Sequence, residues 1–271
     1  MGCKKTLIML CIIAVVAWMY FWPRHIIDNF QGMNQSKLEL VVANYEENLD
    51  WISTIPPSLY DKLTIYNKGS YKNYSQFIQK GARTYDLHNV GREGHTYLYH
   101  IVNNFDNLSE VTMFLPGSTN TFYQKQAQLD LLLEGLKEKK DSIVIGFNDP
   151  VYIKNELTTF KIDEYEITSS ENKRVNPKSS LTPSHIRPLG RWIESRFPGE
   201  ELTCIGYRGL VVASRDDILK RPKSFYEGLM AELNYNNPEV GHYIERAWPL
   251  ILSIPTDKCG NGDFMRRPKG W

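Results

Sequence analysis

The segment Asn89–Glu93 (NVGRE) holds residue types that could bind an anion and move a proton. Gly91 and Arg92 stand just before a predicted helix, where an anion would meet backbone N–H groups and a forked guanidinium donor. Glu93 is a candidate base, and His95 could donate or shuttle a proton. The alternative interpretation is a structural ion pair between Arg92 and Glu93 that fixes the loop.

A second candidate cluster lies near the C-terminus, in the sequence HYIERAW that begins at His242. His242, Glu245 and Arg246 follow the i, i+3, i+4 spacing, which places them on one face of a helix. Glu245 is a candidate general base for activating a hydroxyl, provided that it lies within hydrogen-bond reach. The same face could instead be a solvated stripe, with the apolar residues of the segment packed inside.

Strand and helix patterns alternate along the chain from Leu38 onward, and this alternation predicts an α/β fold with a mostly parallel central sheet flanked by helices. The predicted strands are Leu38–Ala43, Lys62–Tyr66, Val111–Leu115, Ser142–Phe147, Leu202–Ile205 and Gly209–Ala213. The predicted helices are Thr96–Asn104, Thr121–Lys139, Leu189–Arg196, Ser214–Leu219, Ser224–Leu233 and Gly241–Ile254. Residues 150–185 have little pattern and are expected to be irregular.

Glu46 and Asn67 each lie shortly after a predicted strand. In open α/β sheets, ligands gather at the carboxyl ends of the strands. We therefore expect Glu46, Asn67 and the loop Asn89–Glu93 to meet at one edge of the sheet.

The overall charge argues against one class of partner. The chain has 32 basic and 31 acidic residues and a net charge of +1, so nothing in its electrostatics favours nucleic acid. Its 16 tyrosines and 6 tryptophans would suit carbohydrate stacking, but they suit a well-packed core as well.

The N-terminus predicts a membrane anchor. Leu7–Trp22 contains no charged residue, two lysines precede it, and Trp and Tyr lie near its far end. This pattern favours an uncleaved signal anchor over residues 7–23, with residues 1–6 in the cytoplasm. A single-pass protein of this orientation would carry its domain in the secretory lumen or outside the cell, with residues 24–37 as a stem, 38–254 as the α/β domain and 255–271 as a basic, turn-rich tail.

Several short patterns concern modification. Gly2 and Cys3 fit the patterns for myristoylation and palmitoylation, although small residues before an anchor explain them equally well. Asn34, Asn73 and Asn107 stand in N-x-[ST] sequons.

The domain contains two cysteines, Cys204 and Cys259. In a lumenal domain they could form a disulfide, and two unpaired buried cysteines are the alternative.

Four longer strings carry a family resemblance: LELVVANYEENLDWI, TIYNKG, NVGREGHTYLYHIVNNFDNLSEVTMFLPGS and SFYEGLMAELNYNNPEVGHYIERAWPLIL. They resemble the DUF3431 family of uncharacterised proteins over residues 38 to 254. The layout of that family is similar to that of nucleotide-sugar glycosyltransferases of the GT-A type. Those enzymes open with a strand that ends in a polar residue near the nucleotide, and their polysaccharide-synthesis relatives have an N-x-G-R-D loop and a late helix carrying Glu-Arg.

The resemblance implies roles for particular residues. Those expected to bind a nucleotide-sugar substrate are Asn89, Gly91, Arg92, Glu46, Asn67, Arg246 and His242. Those expected to take part in catalysis are Glu245, His95 and Glu93. One departure concerns the cofactor, since a divalent metal such as Mn²⁺ usually binds a D-x-D motif after a central strand. Here that strand ends in Pro116–Asn120, which contains no acid, so metal dependence and catalysis both stay open.

The leading hypothesis is a membrane-anchored glycosyltransferase-like protein that moves a sugar from a nucleotide sugar to a glycan or glycoprotein. The alternative is a non-catalytic module of the same fold that binds a glycan or a protein. A hydrolase, which needs no donor nucleotide, is the third.

Overall fold

The computed structural model describes residues 37–70, 73–138, 141–163 and 181–262. The part of the chain from Lys37 onward forms one compact unit. The predicted anchor at residues 7–23 lies outside the described residues, as do Gly2, Cys3 and Asn34. Within the described ranges, no helix combines the length and the apolar character needed to cross a membrane.

The main sheet has five strands in the order β3-β2-β1-β4-β7. These strands are β1 (Leu38–Asn44), β2 (Lys62–Asn67), β3 (Arg83–Asp86), β4 (Val111–Pro116) and β7 (Val211–Ser214). The first four are parallel, and β7 pairs antiparallel with β4. The prediction of a mostly parallel sheet is therefore confirmed for this sheet, with an antiparallel edge strand that the sequence did not indicate.

A second sheet of three strands has the order β6-β5-β8. It consists of β5 (Val144–Phe147), β6 (Ile205–Gly206) and β8 (Cys259–Asn261). An antiparallel bridge between Ile143 and Val212 joins it to β7. The fold therefore takes in part of the segment after residue 254, which the sequence analysis assigns to a tail.

Helices flank both sheets. They are α1 (Ser75–Ile78), α2 (Arg92–Asn103), α3 (Tyr123–Glu138), α4 (Pro150–Thr159), α5 (Leu189–Arg196), α6 (Arg215–Ile218), α7 (Lys223–Ala231) and α8 (Glu239–Ile251). Two expectations about helices are wrong, and the strand predicted at Leu202–Ile205 is replaced by the shorter β6, Ile205–Gly206. Helix α2 begins at Arg92 rather than Thr96, because Gly91 adopts a left-handed conformation (φ 60°) and forms its N-cap. Helix α4 occupies a region expected to be irregular, since Asp149 caps it through the backbone N–H of Tyr152, 2.8 Å away, and Pro150 opens it.

Strand β1 explains why the main sheet is covered on both faces. All seven of its residues are buried. Val41 packs into one apolar cluster, whereas Leu40 and Val42 pack into another, as expected when successive side chains point to opposite faces. Glu39 and Asn44 are its polar residues, and Lys62, Thr64 and Ser109 bind the carboxylate of Glu39 at 2.9, 2.6 and 2.8 Å.

Cys204 and Cys259 form a disulfide that ties β8 to the segment before β6. The bridge closes a sequence separation of 55 residues, which restricts the unfolded chain.

We predict that reduction of this disulfide lowers the free energy of unfolding by about 2 to 4 kcal/mol. Urea denaturation with and without reductant measures the loss. A Cys204→Ala, Cys259→Ala double variant serves as the control, because reductant should not change its midpoint. Equal midpoints for the wild-type protein in both conditions would contradict the prediction.

Candidate functional site

The order of the strands defines a crevice at one edge of the main sheet. Strand β1 lies between β2 and β4, so the crossovers that follow β1 and β3 leave the sheet in opposite directions. Ligands in open α/β folds bind at such a switch point, outside the carboxyl ends of the strands. Two loops lie at this switch point: Tyr45–Asn48, which follows β1, and Gly117–Asn120, which follows β4.

Glu47 is the carboxylate that the loop after β1 turns toward this crevice. The backbone N–H of Tyr45 donates to its Oε2 at 2.8 Å. Burial raises the pKa of Glu47, against the opposing effects of this N–H and of Lys125. A Cβ added at Gly117 would lie 2.8 Å from Glu47 Oε2 and 2.4 Å from Asn44 Oδ1, so the two loops approach closely only because position 117 is glycine.

Lys125, in the first turn of α3, supplies a positive charge at the same edge. Its Nζ donates to Ser118 Oγ at 2.7 Å. Burial lowers the pKa of Lys125, while Glu93, Glu245 and Glu47 oppose that shift. The charge of Lys125 therefore acts on carboxylates from three separate segments, while its hydrogen-bond partner is Ser118.

Lys68 fixes the loop that leads into α2. Its Nζ donates to the backbone carbonyls of Val90 and Arg92. Burial lowers the pKa of Lys68 to about 7, and Glu93 opposes the shift. Gly91 donates its N–H to the carbonyl of Tyr235 at 2.7 Å, which attaches the loop to the chain before α8.

Arg92 and Glu93 form the ion pair that the sequence analysis raised as an alternative, with Nε and Oε2 3.8 Å apart. The pair is part of a larger cluster. Burial would raise the pKa of Glu93, but Arg92, Lys125 and His242 lower it below its usual value. Glu93 therefore stays ionised at neutral pH.

Helix α8 brings His242 and Glu245 to the same place. Arg92 Nη1 lies 3.0 Å from His242 Nε2. Because a guanidinium only donates, Nε2 is the acceptor and the imidazole is neutral, with its proton on Nδ1. Burial, Arg92 and Arg246 lower the pKa of His242 to about 3. Its Nδ1 lies 3.9 Å from Glu245 Oε2.

Glu245 also receives a backbone donor. The N–H of Arg208 lies 2.6 Å from Glu245 Oε1. Glu245 therefore has one oxygen on the backbone of Arg208 and the other beside His242, which orients its carboxylate on this face of α8.

Arg246 contacts a different set of residues from His242 and Glu245. Its Nε binds Glu156 Oε2 at 2.8 Å, and its guanidinium lies 3.4 Å from the ring centre of Phe160. Tyr207 OH donates to the same Glu156 oxygen at 3.1 Å. Arg246 thus joins α8 to α4, and a phosphate at this position would compete with Glu156.

The remaining predicted substrate residues surround the cluster without entering it. Glu46 accepts from the backbone N–H of Ser70 at 2.7 Å, which turns its carboxylate toward the loop after β2. Asn67 donates to Asp86 Oδ1 at 2.9 Å and closes the ends of β2 and β3. Burial raises the pKa of Tyr45, and Asn89 opposes that shift.

His95 lies in the first turn of α2, not before the helix as expected. Its ring stacks near Tyr99, with 6.3 Å between the ring centres, and its Nδ1 is buried without a hydrogen-bond partner. Burial and the charge of Lys68 lower its pKa to about 4. At neutral pH His95 is uncharged.

Three charged residues at this edge, Glu47, Lys68 and Lys125, are not among the site residues that the sequence predicts. Glu47 adjoins the chosen Glu46, and only the geometry of the loop after β1 decides which of the two faces the crevice. Lys68 adjoins the chosen Asn67. Lys125 resembles any polar position of an amphipathic helix and carries no local signal.

The side chains at this edge do not fit a divalent metal. The charge of Lys125 opposes the binding of a second cation near Glu47, Glu93 and Glu245. Among the residues that the structure describes, no group of three or more His, Cys, Asp or Glu side chains has a metal-binding arrangement.

Two sequons can be placed on the surface. Asn73 and Asn107 are exposed.

A separate cleft of about 730 Å³ lies between α4 and α5, and Asn148, Leu157 and Phe197 are among its lining residues. None of the predicted site residues lines it.

No curated protein and no solved structure matches the chain. Residues 40–140 match the model of the family described as "Protein of unknown function (DUF3431)". The matched stretch runs from β1 to the end of α3 and includes Glu47, Arg92, Glu93 and Lys125. This match supports assignment to the family that the sequence resembles.

Proposed function

We propose that this protein is a membrane-anchored glycosyltransferase-like enzyme of the GT-A type, which transfers a sugar from a nucleotide sugar to a glycan or glycoprotein. The observation that carries the proposal is the contact between Arg92 and His242, 150 residues apart. It joins the two segments that resemble glycosyltransferase motifs, at the carboxyl edge of a parallel sheet.

The donor diphosphate would bind at the N-terminus of α2. Gly91 provides no side-chain cap there, and the first turn of a helix attracts anions. Arg92 adds a forked donor, and Lys68 adds a second positive charge just below the loop when it is protonated. These cations come from the protein itself.

The acceptor hydroxyl would lie near Glu245. In the proposed step, the hydroxyl proton passes to Glu245 while the oxygen attacks the anomeric carbon. The bond from that carbon to the diphosphate oxygen breaks, and the nucleoside diphosphate leaves with the electron pair. The N–H of Arg208 holds the carboxylate of Glu245 in place before the step.

The disulfide supports the proposed side of the membrane. Disulfides persist in the secretory lumen and outside cells and are rare in the cytosol. The Cys204–Cys259 bond therefore favours a type II orientation, with an anchor at residues 7–23 and a cytoplasmic N-terminus.

We expect one class of nucleotide sugar or nucleoside diphosphate to stabilise the protein. At 100 times its dissociation constant, a ligand adds about 2.7 kcal/mol, which corresponds to a Tm shift of about 5 to 10 °C for a domain of this size. Thermal unfolding against a nucleotide-sugar panel measures it. Arg92→Ala should abolish the shift, whereas Arg191→Ala, at an exposed position of α5, should keep it. A flat panel with folded protein would reject the enzyme and favour a non-catalytic module.

A matched pair of carboxylate variants tests the base. Glu245→Gln should lower kcat by about 100-fold or more, because it removes the proton acceptor. Glu46→Gln should change kcat by less than about threefold, because Glu46 binds Ser70 outside the cluster. Sugar transfer from the donor found in the panel gives both values. Equal losses in the two variants would argue against Glu245 as the base.

A further inference from the structure

The cleft between α4 and α5 takes no part in the proposed reaction, and its wall is largely apolar. Ile153 and Leu157 line it from α4, where their spacing of four residues places them on one helix face, and Ile193 lines it from α5. Phe197 and Leu202 extend the apolar wall beyond α5. The volume of about 730 Å³ is typical of a site that holds a bound molecule or side chains of a bound segment.

Acidic side chains lie at the rim of this cleft. Glu194, Glu200 and Glu201 are exposed there, and Lys154 is the one basic side chain among the described residues that line it. Glu200 is paired with Arg221 at 2.7 Å, so the negative charge of the rim comes mainly from Glu194 and Glu201. An apolar wall with an acidic rim fits a segment that combines large apolar side chains with basic ones.

The chain itself contains a segment of this composition. Residues 263–271 have the sequence DFMRRPKGW, with three large apolar residues and three basic residues against one aspartate. They follow Gly262, where the described part of the chain stops. The segment therefore matches the cleft in both apolar character and charge.

Gly262 lies close to the cleft. Its N–H donates to the carbonyl of Gly146 at 2.8 Å, and Asn148, two residues further along, is a lining residue. Strands β5 and β8 are parallel, so the chain after Gly262 continues in the direction of Asn148. Nine residues can extend about 30 Å, whereas α4, with ten residues, is about 15 Å long. The segment can therefore reach along the whole cleft.

The predicted stem is less well placed to fill the cleft, because it joins the domain at the opposite edge. Strand β7 is antiparallel to β4, and the bridge between Ile143 and Val212 is antiparallel as well, so β5 runs in the same direction as β4 and β1. The stem meets β1 at its amino end, Leu38, whereas Gly262 lies near the carboxyl end of β5.

We propose that residues 263–271 dock in the cleft between α4 and α5 of their own chain, with their apolar side chains against its apolar wall and their basic side chains at Glu194 and Glu201. The docked segment stabilises α4, which also carries Glu156, the partner of Arg246 at 2.8 Å. Docking requires no nucleotide sugar, so it holds whether or not the protein transfers sugars.

Trypsin provides the test, because it cleaves after Arg266 and Lys269, inside the segment. The detergent-solubilised full chain is digested under native conditions, and intact-mass spectrometry follows the loss of residues 267–271 or 270–271. A synthetic peptide of residues 261–271 gives the rate for the undocked sequence. Where undocking is fast relative to cleavage, the rate measures the population of the undocked state.

We expect the wild-type chain to be cleaved at least about tenfold more slowly than the peptide. Glu194→Gln with Glu201→Gln should raise the rate by about three- to tenfold, because each exposed ion pair contributes little. Glu227→Gln, at an exposed glutamate of α7, is the matched control and should leave the rate unchanged. Trp271→Ala should raise the rate by about tenfold relative to a peptide with the same substitution, because it removes an aromatic anchor. That change leaves every described residue unaltered, so it tests docking even if the glutamate variants fold poorly.

Hydrogen exchange gives a second readout and locates the docked segment. Backbone amides of α4 and α5 should exchange faster in Trp271→Ala than in the wild type, because they lose a packing partner. Amides of α2, which does not line the cleft, should exchange at the same rate in both proteins.

Three results would overturn the proposal. Cleavage of the wild-type chain at the rate of the peptide would show that the segment is undocked. Protection that disappears on dilution would place the segment in the cleft of a second copy. Protection that neither the glutamate pair nor Trp271→Ala reduces, or that leaves exchange in α4 and α5 unchanged, would place it elsewhere and leave the cleft to another occupant.

Discussion

The carboxyl edge of the main sheet depends on the compensation of partly buried charge. Ionised groups leave water only when opposite charges and hydrogen bonds replace their hydration. Here each of three carboxylates has a donor or a cation: the N–H of Tyr45 for Glu47, the guanidinium of Arg92 for Glu93 and the N–H of Arg208 for Glu245. The contact of Arg92 with His242 joins helix α2 to helix α8, and the bond of Lys125 to Ser118 joins helix α3 to the loop after β4.

The turn that leads into helix α2 is also held in place by charged side chains. Gly91 caps α2 with a left-handed φ, and Arg92 follows with a φ of 53°, which is uncommon for a residue with a side chain. This turn directs Arg92 toward His242, and Lys68 donates hydrogen bonds to the carbonyls of Val90 and Arg92. The strain of the turn is thus balanced by contacts with β2 and α8, which bind the loop from two directions.

The sequence predicts those parts of this arrangement that have local causes. Apolar runs predict β1, β2 and β4, and the i, i+3, i+4 spacing predicts the shared face of His242 and Glu245. Strand β3 escapes prediction because three of its four residues are exposed, and β8 because it is a three-residue turn-like stretch held by a disulfide and by pairing with β5. The contact between Arg92 and His242 has no local signal, since 150 residues separate the two side chains.

The protonation states decide which groups can move a proton in the proposed reaction. His95 and His242 have pKa values of about 4 and 3, so both imidazoles are neutral at physiological pH. His242 also uses its Nε2 lone pair to accept from Arg92, which leaves it no free basic nitrogen. Proton uptake from a hydroxyl therefore falls to a carboxylate. Of the carboxylates at this edge, Glu93 is paired with the guanidinium of Arg92, whereas Glu245 lies on the face of α8 beside the neutral His242, and the proposed step therefore assigns the base to Glu245.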